Sequence, residues 1–111
     1  MNMEIEKYPQ VTVVTLPGET IEASSVEEFK KAILPIVETN TNLIFDMSRI
    51  RFIDSMGCSA LVFTSRKLKE KEGCLKICCS SPQVTALFDM MGFRNILGIF
   101  NSKEDAVQSF R

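Results

Sequence analysis

Four short β-prone runs, Val11–Leu16, Leu43–Met47, Cys74–Cys79 and Ile96–Phe100, are each followed by a stretch whose apolar residues recur at helical spacing. A chain alternating in this way can bury both periodicities together if the strands pair into a mainly parallel sheet and the helices return across its faces by right-handed crossovers. The opening differs. Met3–Tyr8 precedes the first of these runs with only Pro9 and Gln10 between them, too short for a crossover, so an antiparallel hairpin is predicted there. The expected order is ββαβαβαβα, an α/β class with a mixed, mainly parallel sheet opened by a hairpin and helices packed against it. With 111 residues, of which 45% are apolar, the chain is expected to form one domain over 1–111 around an ordinary core.

Local signals place the helices. After the Pro17-Gly18 turn, Ser25-Val26-Glu27-Glu28 reads as a capping box, followed by a stripe of Val26, Phe29, Ile33 and Val37, with Pro35 predicted to bend the last turn. A second helix is predicted from Gly57 to about Glu72 with Leu61, Val62 and Leu68 inward. A third starts at Ser81-Pro82, carries Val84, Leu87, Phe88 and Met91 inward, and stops at Gly92. Ser102 caps a last helix reaching Phe110. The carboxylate pairs Glu27/Glu28 and Glu104/Asp105 fall at helix starts, where they meet the positive end of the dipole.

Composition removes several function classes. The net charge is −1, and Arg66, Lys67, Lys69 and Lys71 are interspersed with Glu70 and Glu72, a solvated helix face that argues against direct nucleic-acid binding. No apolar stretch approaches the roughly 20 residues that span a bilayer, and a start bearing Glu4 and Glu6 is unlike a signal peptide, so a cytoplasmic protein without a membrane partner is expected. There is no histidine, which excludes a Ser-His-Asp triad, a Cys-His dyad and most catalytic zinc sites. No P-loop, GxGxxG or GxSxG is present, and neither an enzyme nor a bound cofactor is expected. Cys58, Cys74, Cys78 and Cys79 lack CxxC spacing and are expected to be reduced, mostly buried thiols that hold no metal. Cys78 and Cys79, adjacent in one strand, are predicted to point to opposite faces and so to share no ligand site.

What remains is one loop. Phe52-Ile53-Asp54-Ser55-Met56-Gly57 puts a hydroxyl at a strand-to-helix turn, the place where α/β sheets gather function. Unpaired N–H groups and the helix dipole would stabilise an oxyanion or phosphate on Ser55. Asp54 could orient the hydroxyl, Gly57 would allow close approach of another molecule, and Met56 offers a flexible apolar contact suited to a protein surface. Serine before a helix is equally a common N-cap that requires no function, and both readings stand at this level. A small hydrolase using Ser55 would lack a base to activate it.

From Ile44 to Leu61 the text Ile-Phe-Asp-Met-Ser-Arg-Ile-Arg-Phe-Ile-Asp-Ser-Met-Gly-Cys-Ser-Ala-Leu resembles the signature of STAS domains, specifically the bacterial anti-sigma factor antagonists. The opening hairpin, the Leu16-Pro17-Gly18 turn, the helix start at Ala23 to Phe29, the closing strand and helix, and the chain length follow the same pattern. The resemblance implies that Ser55 is the phosphoacceptor and that Glu22, Asp54, Ser55, Met56, Gly57 and Cys58 form a partner-binding site. It further implies a partner switch. Unphosphorylated protein would bind an anti-sigma factor that is also a serine kinase and so free a sigma factor; the kinase, using its own ATP and magnesium, would phosphorylate Ser55, and a serine phosphatase would restore binding. Three positions depart from the pattern: Met56 replaces a second hydroxyl, Gly57-Cys58-Ser59 replaces Gly-Leu-Gly, and Glu22 stands near the place of an aspartate. The alternative implied by the same resemblance is a STAS scaffold or ligand-sensing subunit of a transport or stress complex, with Ser55 a simple cap.

Overall fold

The hairpin forms as predicted. In this computed structural model, which describes residues 2–111, β1 (Glu4–Lys7) pairs antiparallel with β2 (Thr12–Thr15), Ile5 lying opposite Val14. The chain continues through β3 (Thr20–Ile21), α1 (Val26–Thr39), β4 (Asn42–Asp46), β5 (Phe52–Ile53) and α2 (Ser55–Lys69). It then runs through β6 (Cys74–Cys78), α3 (Pro82–Met90), a 3-10 turn (Phe93–Asn95), β7 (Gly98–Phe100) and α4 (Lys103–Gln108). The main sheet has the order β1-β2-β4-β6-β7 and is parallel from β2 onward. No helix of the described residues is long and apolar enough to cross a membrane.

Alternation along the strands sorts side chains onto two faces. Val14, Leu43, Phe45, Leu75 and Ile77 join Phe29, Ile33 and Val37 of α1, Leu61 and Leu68 of α2 and Phe88 of α3 in the larger core. Val13, Ile44 and Cys78 face Ala106 and Val107 of α4 in the smaller one. Strands covered on both sides are apolar almost throughout, which is why these runs are so legible in the sequence. Ser81 caps α3 as predicted, its Oγ accepting from the Val84 amide at 3.2 Å, with Pro82 in the first turn. Ser81→Ala should therefore cost about 0.5–2 kcal/mol in urea unfolding. Gly92 ends that region with φ +69, a conformation that suits glycine.

Several expectations are corrected. Ser25 sits at the N-cap of α1, but its φ/ψ of −121/−3 is not the extended geometry of a capping box, and its hydroxyl turns back to the Glu22 amide and carbonyl, both at 3.3 Å. α1 runs through Pro35 to Thr39, and the Lys71 ammonium satisfies the Val37 and Glu38 carbonyls beyond it, a contact from a distant stretch of chain that local spacing does not show. β7 begins at Gly98 and not at Ile96, because Phe93 stacks on Phe88 with ring centroids 5.2 Å apart and the chain there closes a 3-10 turn. α4 stops at Gln108, short of Phe110. Val62 and Leu87 are only partly buried and Met91, just past the end of α3, is exposed. The two-residue parallel pair β3-β5, Thr20 beside Phe52 and Ile21 beside Ile53, carries too little periodicity to be predicted.

β6 ends at Cys78, and Cys79 lies beyond it at φ +65. The strand alternation that would have sent Cys78 and Cys79 to opposite faces therefore does not apply. Their sulfurs converge on the Asp46 carboxylate, all three groups lying within 4.8 Å of one another.

Candidate functional site

The β3-β5 pair brings two distant stretches of chain together at the start of α2. The Asp54 amide donates to the Ile21 carbonyl at 3.3 Å, which sets Glu22 and Ala23 beside the Asp54-Ser55 turn. Asp54 is extended, with φ −103 and ψ −175, and serves as the N-cap of α2. One carboxylate oxygen accepts from the Gly57 amide at 2.8 Å and the other from the Ala23 amide at 3.0 Å. A single carboxylate thus closes the helix and ties it to the loop that carries Glu22, whose own side chain accepts from the Ser24 hydroxyl at 3.3 Å.

These bonds answer two expectations about the loop. The cap of α2 is Asp54, one residue earlier than the serine, because an extended aspartate reaches the third amide of the helix while Ser55 already has helical geometry. Nor does Asp54 orient the Ser55 hydroxyl: its oxygens accept from the Gly57 and Ala23 amides, and it makes no hydrogen bond to that hydroxyl. Ser55 is exposed at the first position of α2, and its hydroxyl has no hydrogen-bond partner among the described residues. It stands at the positive end of the helix dipole with no task in holding the helix.

The hydrogen bonds from Gly57, and then from Ala23, hold the Asp54 carboxyl below the ordinary aspartate range. A depressed folded-state value means that the charged form stabilises the fold. That contribution is fully present above the unfolded aspartate value of about 3.9 and is lost as pH falls through the lower folded value. Asp54→Asn should flatten the acid limb of the stability-against-pH curve below about pH 4, as read by chemical denaturation at successive pH values.

Gly57 and Cys58 lie beneath the surface. A Cβ built on Gly57 would stand 2.2 Å from the Ile21 carbonyl oxygen and 2.6 Å from the Ile53 side chain, so the molecule that approaches this glycine closely is the chain itself. Cys58 is buried, and its burial, with the nearby Asp54 charge, pushes the thiol upward. Met56 and Phe52 expose about half their surface on either side of Ser55. Further along α2 a groove of about 290 Å³ is lined by Cys58, Ser59, Phe63, Arg66, Met91 and Phe93. Sequence reasoning missed Phe52 and this groove. The signal for Phe52 was its place beside Ile53, since neighbouring strand residues face opposite ways.

The arrangement supplies a hydroxyl without a paired base: Asp54 makes no hydrogen bond to it and has its basicity lowered by the Gly57 and Ala23 amides, and the chain contains no histidine. Among the described residues no side chain is bonded to the Ser55 hydroxyl in a way that would activate it as a nucleophile.

A family model described as the STAS domain matches residues 2–106. The chain is 26% identical over 108 residues to the anti-sigma-B factor antagonist of Bacillus subtilis, covering 97% of this chain and 98% of that one. Among solved structures it is similar to an anti-sigma factor antagonist from Mycobacterium paratuberculosis, with a TM-score of 0.86 and 23% identity over 99% of this chain and 93% of that one. It is likewise similar to the Bacillus cell fate determinant SpoIIAA in its phosphorylated form, with a TM-score of 0.72 and 21% identity over 99% and 100% of the two chains.

Proposed function

The chain belongs to the STAS domain family, and from that membership we propose that it is a cytoplasmic anti-sigma factor antagonist, a non-enzymatic partner switch whose state is written on Ser55. The unphosphorylated protein binds an anti-sigma factor that is also an ATP-dependent serine kinase. Phosphorylation of Ser55 releases that partner and a serine phosphatase reverses the mark. The observation that carries this reading is the exposed Ser55 hydroxyl, left without a structural task because Asp54 caps α2 in its place. The names of the similar proteins support the partner class.

The docking surface comprises Glu22, Asp54, Ser55 and Met56, flanked by Phe52, with Gly57 and Cys58 shaping it from beneath. Exposed Met56 and Phe52 supply adaptable and rigid apolar contacts. A phosphate adds about −1.5 to −2 charges beside the Asp54 carboxylate. Repulsion and desolvation then act against the same surface, and every 1.4 kcal/mol of that penalty is about tenfold in affinity. The test is site mapping by mass spectrometry after incubation with the cognate kinase, ATP and magnesium. Phosphate on Ser55 is expected; phosphate on Ser59 or Thr64 instead, or on no residue, would return the protein to the scaffold reading.

A further inference from the structure

Asp46 and Cys78 are register partners at the ends of the parallel strands β4 and β6, on the sheet face covered by α4. Cys79 follows at φ +65, which folds its thiol back toward them, and its amide is held by the Phe100 carbonyl at 3.1 Å. The two sulfurs and the carboxylate lie within 4.8 Å of one another. Donors around a tetrahedral zinc ion, with Zn–S of about 2.3 Å and Zn–O of about 2.0–2.2 Å, stand roughly 3.5–3.8 Å apart, so side-chain rotation of about an ångström completes the geometry.

We propose that Asp46, Cys78 and Cys79 form a binding site for a thiophilic divalent cation of the zinc class. Thiolate and carboxylate donors suit such an ion, and hard cations such as magnesium would not choose this set. Cys78 is buried while Asp46 and Cys79 are half-buried, so the ion would be held from below and keep its fourth position open to water. The Asp46 carboxylate is oriented by the Ser48 amide at 2.9 Å, the kind of outer contact that fixes a ligand. On binding, each thiol releases its proton to solvent, leaving three negative donors around a doubly charged ion. Lys103, at the start of α4, is close enough to act electrostatically on both Cys78 and Asp46 and offsets the remaining charge, although its ammonium also pairs with Glu6 at 3.0 Å. The site lies beyond the carboxyl ends of parallel strands, where open α/β sheets hold ligands. It is independent of the partner-switch reading.

The experiment is titration of the reduced, full-length protein with cobalt(II), followed by displacement with zinc(II) against a chromophoric chelator. One equivalent should bind with a thiolate-to-cobalt charge-transfer band and tetrahedral visible bands. Cys79→Ser and Asp46→Asn, each checked for a native circular dichroism spectrum, should weaken binding by at least about tenfold, and Cys74→Ser should leave it unchanged. Cys78→Ala is the buried counterpart; the half-buried Cys79→Ser keeps the test decisive if that variant fails to fold. Absence of binding, cobalt bound without the charge-transfer band, unchanged affinity in Cys79→Ser, or equal loss in Cys74→Ser would overturn the assignment and leave Cys78 and Cys79 as small apolar fillers of the α4 core.

Discussion

Ser55→Ala should unfold within about 0.5 kcal/mol of the wild type, yet should accept no phosphate at this position and hold the anti-sigma partner constitutively. The small stability change follows from the site. The hydroxyl makes no hydrogen bond among the described residues, Asp54 supplies the cap, and alanine is the better helix former at an exposed position. Ser55→Asp should do the opposite to binding. Its carboxylate meets the positive end of the α2 dipole, so the fold is kept or gains about 0.3–1 kcal/mol. The same charge enters the proposed docking surface beside Asp54 and should weaken the complex by tenfold or more, equivalent to at least about 1.4 kcal/mol. Calorimetric titration of wild type and both variants against the kinase partner measures this directly. An aspartate variant that binds as tightly as wild type would show that charge at Ser55 does not control docking.

Gly57→Ala should destabilise the fold by about 1–3 kcal/mol, and Gly57→Val by more. Replacing glycine by alanine inside a helix ordinarily gains about 1 kcal/mol. Here the new methyl group would stand 2.2 Å from the Ile21 carbonyl oxygen, a backbone atom, so relief requires α2 and β3 to move apart. That displacement carries the Glu22-Ala23 loop with it and strains the 3.0 Å bond between Asp54 and the Ala23 amide. Partner affinity should accordingly fall by more than the unfolded fraction explains. Urea unfolding gives the stability, and titration at saturating folded protein gives the affinity. A Gly57→Ala protein as stable as wild type would mean that the helix end slides without cost, and the close packing would lose its structural role.

The difference between legible and illegible features follows from how far apart the cooperating atoms lie in the chain. The hairpin strands, the β4 run, the α1 stripe of Val26, Phe29, Ile33 and Val37, and the Ser81-Pro82 and Ser102 helix starts depend on residues a few positions apart, and they form where the spacing predicts. Ser55 was legible as the strand-to-helix hydroxyl for the same reason. The ends of elements were less so, because Lys71, in the turn after α2, completes α1 and Phe88 draws Phe93 into a turn that shortens β7.

Local periodicity thus determined the order of the helices and of the main-sheet strands, the hairpin start, and the strand-to-helix loop that carries Ser55, since alternation of period 2 with period 3.6 is encoded in near neighbours. Tertiary structure alone decided the roles within that loop. Asp54 became the cap and the tether together only because Ala23 arrives beside it through the β3-β5 pair, and Gly57 was required by a carbonyl that lies far away in sequence. It also decided the meeting of Asp46, Cys78 and Cys79, which depends on a parallel register between β4 and β6 and on one left-handed residue past the strand end. Contacts of that kind are set by how packed elements approach one another, and no window of neighbouring residues contains them.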